Sequence, residues 1–158
     1  MQNHSITVKT WGELTTDELF AFLRLRTTVF FLEQRIDEEE LDDADFAPTT
    51  QHLWIDDDRG VAAYLRLVRL TKPEHRGATL VPGRVVVRAD RRGEGLARRL
   101  FDRVLEQHGS EPLVLHSQAY VAPLYASLGF EPYGDEYLEA GIPHISMYRA
   151  GRTPATAS

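Results

Sequence analysis

Residues 83–101, with the sequence GRVVVRADRRGEGLARRLF, pass from a run of valines through a loop with two glycines into an amphipathic pattern. This order predicts a buried strand that is joined to a helix by a loop with little side-chain bulk. The backbone N–H groups of such a junction are exposed, and the N-terminus of the helix carries a partial positive charge. The segment therefore predicts a binding site for the phosphate groups of a ligand.

The spacing of the glycines excludes two well-known types of phosphate loop. A P-loop requires GxxxxGK followed by Ser or Thr, and no lysine or hydroxyl occupies that place in this segment. A dinucleotide-binding fingerprint requires a third glycine three residues after Gly95, where the sequence has Arg98. The pattern that remains is R-x-x-G-x-A, formed by Arg92, Gly95 and Ala97. We therefore interpret the segment as a phosphate loop of a different kind.

The length and the charge of the chain limit its organisation and its partners. A chain of 158 residues is expected to form one domain, which we assign to residues 1–150, followed by a disordered tail at residues 151–158. The formal net charge of −6 argues against nucleic acid as a partner. No apolar run approaches the roughly 20 residues that a membrane span needs, and the first residues lack the apolar core of a signal peptide. We therefore expect a cytoplasmic protein that has no membrane partner.

Cysteine, histidine and charge patterns narrow the chemistry. The chain contains no cysteine, which excludes disulfides, thiolate metal sites and a cysteine nucleophile. The six histidines show no metal-binding spacing such as HExxH, so we expect no metal. Seven arginines lie between residues 84 and 103, and eight acidic residues lie between residues 33 and 45. Either a polyanion site with a separate acidic mouth or two solvated surfaces would produce this distribution.

Hydrophobic periodicity predicts an α/β fold. Strands are predicted over residues 6–8, 51–55, 61–70, 84–88, 113–115, 130–138 and 144–148. Helices are predicted over residues 15–34, 95–107 and 123–128. Because a helix separates the strand at 84–88 from the strand at 113–115, these two strands should be parallel. The central sheet should therefore be mixed.

Two motifs resemble the GNAT family of acyl-CoA-dependent N-acyltransferases. The first is R-x-x-G-x-A after a valine strand, and the second is LYASLGFE at residues 124–131, where the family carries a tyrosine on a short helix. Further segments are similar to the ElaA-like branch of this family: FFLEQ at 30–34, GRVVV at 83–87, QA at 118–119 and EAGIPHI at 139–145. The resemblance therefore extends over nearly the whole chain.

The resemblance implies the GNAT fold, in which a mixed, twisted central sheet has helices on both faces and a V-shaped splay between the fourth and fifth strands. It implies that coenzyme A enters this splay and that its pyrophosphate lies at the N-terminus of the helix after the loop. It also implies a set of coenzyme-binding residues in the strand and the loop: Val85, Val86, Val87, Arg92, Gly93, Glu94, Gly95, Leu96 and Ala97. Backbone N–H groups of the strand would stabilise the oxyanion of the reaction.

The resemblance also implies catalytic residues. Tyr125 matches the family tyrosine that protonates the departing thiolate, a role that suits a phenol, while a core aromatic residue is the alternative interpretation. The base that takes the proton of the amine stays open. Glu33, at the end of the predicted first helix, and His144, in the Gly-Ile-Pro-His turn of the branch, are the leading candidates. His116 and a water relay are the other possibilities.

On this resemblance we expect transfer of the acetyl group of acetyl-CoA to a primary amine by direct attack. The acidic residues between 33 and 45 favour a small cationic acceptor, and an amino-terminal acceptor is also compatible. The sequence departs from the branch at Ala140, at Tyr120 and in the loop after Gln34, so the resemblance does not identify the acceptor. The alternatives are a domain that binds acyl-CoA without turnover and an enzyme that uses a longer acyl-CoA. A homodimer is common in the family.

Overall fold

The computed structural model describes residues 5–153 as a seven-stranded sheet with helices packed on it. The strands are β1 (Ile6–Thr10), β2 (Gln51–Asp57), β3 (Gly60–Arg69), β4 (Leu80–Val87), β5 (Leu113–Gln118), β6 (Glu131–Glu139) and β7 (Ile142–Arg149). The α-helices are α1 (Thr16–Thr27), α2 (Leu96–His108) and α3 (Ala122–Ser127). A wider, π-helical turn at Thr28–Glu33 continues α1. Short 3₁₀ segments lie at Trp11–Glu13, Asp43–Phe46, Ala89–Arg91 and Ala119–Val121.

The sheet is mixed because one pair of neighbouring strands is parallel. The strand order is β1-β2-β3-β4-β5-β7-β6, and all neighbours are antiparallel except β4 and β5. The register of β4 and β5 contains the single pair Leu80 and Leu113, whereas β5 pairs with β7 along its whole length. Beyond Leu80 the two parallel strands therefore diverge toward their C-terminal ends. The predicted mixed sheet and its splay between the fourth and fifth strands are confirmed.

One face of the sheet is covered by α1. The helix begins with a capping box in which the side chain of Thr15 accepts from the N–H of Glu18. Its apolar side carries Phe22, which is fully buried and stacks on the ring of Tyr64 in β3 with centroids 4.6 Å apart. Complete burial of a phenylalanine stabilises a fold by about 1.5–3 kcal/mol. This contact is therefore a main attachment of α1 to the sheet.

The opposite face of the sheet is covered by α2. Leu100, Phe101 and Val104 recur at helical spacing, and all three side chains are fully buried. They share one apolar cluster with Leu113 and Leu115 of β5. Helices therefore cover both faces of the sheet, as predicted.

β4 is longer than predicted, because it begins at Leu80 and not at Arg84. Pro82 lies in this extra part, although proline removes a donor from a strand. The N–H of Leu70 donates to the carbonyl of Thr79, so by alternation the nitrogen of Pro82 faces β5. Since β4 is unpaired with β5 beyond Leu80, the missing donor costs no hydrogen bond there. Turn-forming residues are thus tolerated in β4 because the splay leaves one edge open.

The assignment of residues 1–150 to one domain, with a disordered tail at 151–158, stays a prediction. Within that tail the N–H of Arg152 donates to the carbonyl of Gly109 at 2.8 Å, and residues 154–158 lie outside the described residues. No helix between residues 5 and 153 has the length and apolar character needed to span a bilayer. Over the same range, no three His, Cys, Asp or Glu side chains are grouped so that they could hold a metal ion.

Candidate active site

The turn between β4 and α2 presents a row of main-chain donors at a helix N-terminus. Gly93 and Gly95 have φ angles of 82° and 76°, a left-handed conformation that glycine adopts without strain. A Cβ atom at either position would meet no atom within 4 Å, so the turn is open. The N–H groups of residues 93–97 donate to no residue among 5–153, and α2 begins directly after Gly95. This arrangement suits an oxyanion such as a phosphate.

Ion pairs hold this turn in place from outside. Arg88 and Arg91 both bind Asp57, which ends β2, and Arg91 also binds Glu94 within the turn. The hydrogen bonds from Arg88 outweigh burial and keep the pKa of Asp57 far below its usual range. These arginines therefore stabilise the turn through their side chains. The groups that remain open to a ligand are main-chain N–H groups.

Glu33 lies beside the turn and is bound to it. Its Oε1 is 2.6 Å from Nη2 of Arg92, and Nε of Arg92 donates to the carbonyl of Val87 at 3.0 Å. The ion pair joins the end of the π-helical turn to the end of β4. One oxygen of Glu33 therefore accepts a charged hydrogen bond from this arginine.

The three valines at the end of β4 line the gap between β4 and β5. Val86 is buried in the cluster below α1, whereas Val85 and Val87 are half-buried and pack against the cluster of α2. The N–H of Arg88 donates to the carbonyl of Ala62 in β3. Since N–H groups alternate between the two edges of a strand, the N–H of Val87 points toward β5 across the gap.

Tyr125 lies in α3 with its ring in the core. The residue is 6% exposed, and its ring packs edge-on against Phe101 with centroids 5.1 Å apart. A hydrogen bond of 3.0 Å from Arg98 to Ser127 links α3 to α2. Burial raises the pKa of the Tyr125 phenol well above its ordinary value, so the hydroxyl keeps its proton at neutral pH.

His144 and Gln118 lie opposite each other at the end of the β5–β7 pair, beside the gap. Nδ1 of His144 is 2.8 Å from the carbonyl of Ile142, so Nδ1 donates and Nε2 faces Glu139 at 3.5 Å. Gln118 donates to Oε1 of Gln34 at 2.9 Å and so links β5 to the segment after α1. The sequence placed both glutamines in family motifs but assigned them no role, because 84 residues separate them.

Arginines bind four of the eight acidic residues between 33 and 45: Glu33, which pairs with Arg92, and three further carboxylates. Arg26 is fully buried and binds Glu40 at 2.6 Å and Asp45 at 2.7 Å. Arg66 binds Asp42 at 2.6 Å and Asp45 at 3.0 Å. Although burial raises the pKa of Asp45, the hydrogen bonds and charge of Arg26 outweigh it and lower this pKa to about 2. These carboxylates stabilise the segment and do not form an open acidic mouth.

The acidic segment also lines a cavity of about 330 Å³ next to the end of α1, and the arginine-bound Glu40 is part of its wall. Its walls combine aliphatic and aromatic side chains with a row of carboxylates: Thr27, Phe30, Phe31, Ile36, Asp37, Glu38, Glu39 and Glu40. Neither the glycine turn nor Tyr125 lines this cavity, which is therefore distinct from the turn. Carboxylates and aromatic rings are groups that attract organic cations.

Comparisons with known proteins agree with this geometry. A family model described as "Acetyltransferase (GNAT) domain" matches residues 27–150. The chain is 34% identical to Protein ElaA of Escherichia coli over 144 residues, which cover 87% of this chain and 91% of ElaA. A crystal structure of an acyl-CoA N-acyltransferase from Pseudomonas aeruginosa has a TM-score of 0.83 and 38% identity, covering 94% of this chain and 100% of that one. The crystal structure of E. coli ElaA has a TM-score of 0.82 and 30% identity, covering 93% and 99%.

Proposed function

Because this chain belongs to the GNAT family of acyl-CoA-dependent acyltransferases, we propose that it transfers the acetyl group of acetyl-CoA to a primary amine. One observation carries the proposal. The glycine turn offers N–H groups of residues 93–97 without partners among residues 5–153, at the mouth of a gap between two diverging strands. Such a combination has room for a pyrophosphate and for a thin chain that leads from it into the sheet.

The chemistry of coenzyme A would suit this gap. Its pyrophosphate would accept hydrogen bonds from the main chain between Arg92 and Ala97, with the α2 dipole favouring the negative charge. Its pantetheine arm would extend between β4 and β5, past the valines at 85–87. The half-buried side chains of Val85 and Val87 offer the apolar surface that this arm needs.

The reaction would proceed by direct attack of the amine. The amine nitrogen forms a bond to the thioester carbonyl carbon, and the negative charge on the carbonyl oxygen is stabilised by main-chain N–H groups of β4, with Val87 the best oriented. The C–S bond then breaks, and the thiolate takes the proton of Tyr125. Burial supports this role because it keeps the phenol protonated until the thiolate forms.

The proton that the amine loses needs an acceptor. Glu33 and His144 are the leading candidates from the sequence for this step, and His116 and a water relay are the other possibilities. The ion pair with Arg92 favours a different role for Glu33, which is to fix the coenzyme turn against α1. Nδ1 of His144 donates to the carbonyl of Ile142, so Nε2 of the neutral ring has the free lone pair. Glu139 lies 3.5 Å from this Nε2 atom.

The acceptor would be a small cationic amine. Support comes from the cavity beside the end of α1, where Phe30 and Phe31 stand next to the carboxylates of Asp37, Glu38 and Glu39. An ammonium group could bind to these carboxylates while its alkyl chain contacts the aromatic rings. An amino-terminal peptide presents the same group and is the second acceptor to be tested.

The test is release of free CoA thiol from acetyl-CoA in the presence of polyamines and amino-terminal peptides, with the acetylated product identified by mass spectrometry. We expect saturable release that requires the amine. Binding of CoA without release for any amine would indicate a domain that holds acyl-CoA without turnover. Faster turnover with succinyl-CoA would identify a longer donor, and absence of CoA binding would contradict the whole proposal.

A further inference from the structure

A hydrogen-bonded triad on the sheet joins three side chains from three separate elements: Glu74, His116 and Ser146. Glu74, in the loop between β3 and β4, lies 3.0 and 3.2 Å from Nε2 of His116 in β5. Nδ1 of the same ring lies 3.0 Å from Oγ of Ser146 in β7, and His116 and Ser146 are directly opposite each other. The side chains of His116 and Glu74 are 33% and 37% exposed, so a ligand can reach them.

The order of these groups indicates which nitrogen carries the proton when the ring is neutral. An ionised carboxylate can only accept hydrogen bonds, so Nε2 of His116 carries a proton and donates it to Glu74. Nδ1 is then the basic nitrogen and accepts from the hydroxyl of Ser146. A carboxylate that orients an imidazole, with a hydroxyl on the other ring nitrogen, is an arrangement that withdraws protons in enzymes. The triad is therefore suited to receive a proton through Ser146.

The triad lies close to the gap between β4 and β5. Side chains alternate along a strand, so His116 and Gln118 share one face of β5, while Leu113 and Leu115 face α2 and Tyr125. Two residues along a strand are about 6.7 Å apart, so His116 is one such step from Gln118 at the rim of the gap. The histidine and Tyr125 thus lie on opposite faces of the sheet, with the gap between them.

The loop that carries Glu74 is anchored to the sheet. The ring of His75 stacks on Tyr133 of β6 with centroids 3.8 Å apart, and it meets Tyr148 of β7 edge-on at 5.3 Å. The N–H of Glu74 donates to the carbonyl of Ala78 at 2.9 Å. These contacts position the carboxylate before any ligand binds, as a group that orients a catalytic ring requires.

We propose that His116 accepts the amine proton in the acyl transfer, that Ser146 relays this proton and that Glu74 is the positioning residue. The inference rests on the proposed function. As the amine nitrogen bonds to the carbonyl carbon, its proton passes to Oγ of Ser146, whose own proton passes to Nδ1 of His116. The amine then approaches from the His116 face and the thiolate is protonated by Tyr125 on the other. Proton exchange with water then removes the proton from His116 and returns one to Tyr125.

Other ionisable groups lie around the triad. Tyr133 and Tyr137 of β6 interact with the hydroxyl of Ser146 and with the charge of Glu74. His144 lies two residues before Ser146 in β7, on the same face. Glu74 is the carboxylate in direct contact with the His116 ring among residues 5–153. A pH profile must therefore be compared among variants of both histidines.

The experiment measures kcat and KM against pH for acetyl-CoA and an active amine, in the wild type, His116→Gln and Glu74→Gln. His116→Gln should lower kcat about 100-fold or more, the usual contribution of a general base, and should abolish the fall in rate on the acidic side. Glu74→Gln should lower kcat about tenfold with the KM for acetyl-CoA unchanged, and Glu74→Asp should restore part of the rate. A purely structural role of Glu74 would change thermal stability instead of this split.

The matched control is His108→Gln, because His108 at the end of α2 also faces a glutamate, Glu111, at 3.7 Å but lies away from the gap. It should keep the wild-type rate and pH profile. Retention of the wild-type profile in His116→Gln, or loss of the acidic limb in His144→Gln alone, would overturn the inference while the proposed function stands. A wild type that binds CoA but releases no thiol with any amine would overturn both.

Discussion

The glycine turn and the acidic segment are both rich in charge, but charge has a different position in each. In the turn at residues 89–97, arginines bind carboxylates on the outside and leave main-chain N–H groups open toward the gap. In the segment at residues 37–46, buried arginines bind three carboxylates from the inside and leave other carboxylates facing a cavity. One site should therefore depend on the backbone and on free space, and the other on side-chain charge.

The two regions are joined at β4. Arg84 has φ 50 beside the shift in register between β3 and β4, which marks a β-bulge. Its Nε donates to the carbonyl of Glu40 at 3.1 Å, so the bulge that precedes the valines also holds the acidic segment. On the other side of the gap, Gln118 and Gln34 make a second link. The two contacts thus attach residues 34–40 to both strands that border the gap.

Removal of the buried arginine should have the largest effect on stability. Arg26→Met removes the partner nearest to both Asp45 and Glu40, although Arg66 still binds Asp45. Breaking a buried ion pair in this way costs about 3–5 kcal/mol of unfolding free energy. Arg24→Met is the control, because Arg24 on the same helix is exposed. Urea unfolding measures both variants. Equal stability of the two would show that the acidic segment is not held by this network.

Bulk in the turn should have the next largest effect, and it should act on coenzyme binding. Gly95→Trp places a large side chain where the pyrophosphate would approach, and CoA affinity should fall at least about 100-fold. Gly141→Trp is the control, since Gly141 has the same φ of 76° and equally open surroundings in another turn. Both variants carry the same backbone strain. Calorimetric titration with CoA would contradict the assignment if both variants bound equally well.

Acid should weaken the buried network. Folding lowers the pKa of Asp45 from 3.8 to about 2, so its contribution is fully present above pH 4 and is lost as pH falls toward 2. The shift corresponds to about 2 kcal/mol. Unfolding measured between pH 5 and pH 2 should show this loss in the wild type and a smaller loss in Asp45→Asn. A parallel decline in both would place the acid sensitivity elsewhere.

Removal of the phenol oxygen should have the smallest effect. Tyr125→Phe should lower kcat about tenfold, because a thiolate leaves readily without a full proton transfer. The affinity for CoA should be retained, since the ring still packs against Phe101. Thiol release under saturating acetyl-CoA measures the rate. An unchanged kcat would remove the acid role from Tyr125 and leave it as a core residue.

Local features of the fold could be predicted because they depend on neighbouring residues. The glycine turn, α2 and the short α3 follow from the spacing of Gly95, of the apolar residues after it and of the proline at 123. The parallel β4–β5 pair follows from the helix between the two strands. The family resemblance then supplied the splay, which no local pattern encodes.

Contacts between distant residues could not be predicted from periodicity. Arg26 and Arg66 lie on an amphipathic helix and a strand, where exposed positions are expected for arginine, and 19 and 21 residues separate them from Asp45. In the triad, His116 is 42 positions from Glu74 and 30 positions from Ser146. Both depend on the register of strands, which a hydrophobic pattern does not specify across a crossover.

The most direct test of the coenzyme site follows the amide signals of residues 93–97 by ¹H–¹⁵N NMR during titration with CoA. Hydrogen bonding to the pyrophosphate should give Gly93, Gly95, Leu96 and Ala97 the largest downfield shifts in the spectrum. Pantetheine, which lacks the pyrophosphate, should leave these amides in place at the same concentration. If CoA binds and these signals do not move, the main-chain turn does not hold the coenzyme and the proposed mechanism is wrong.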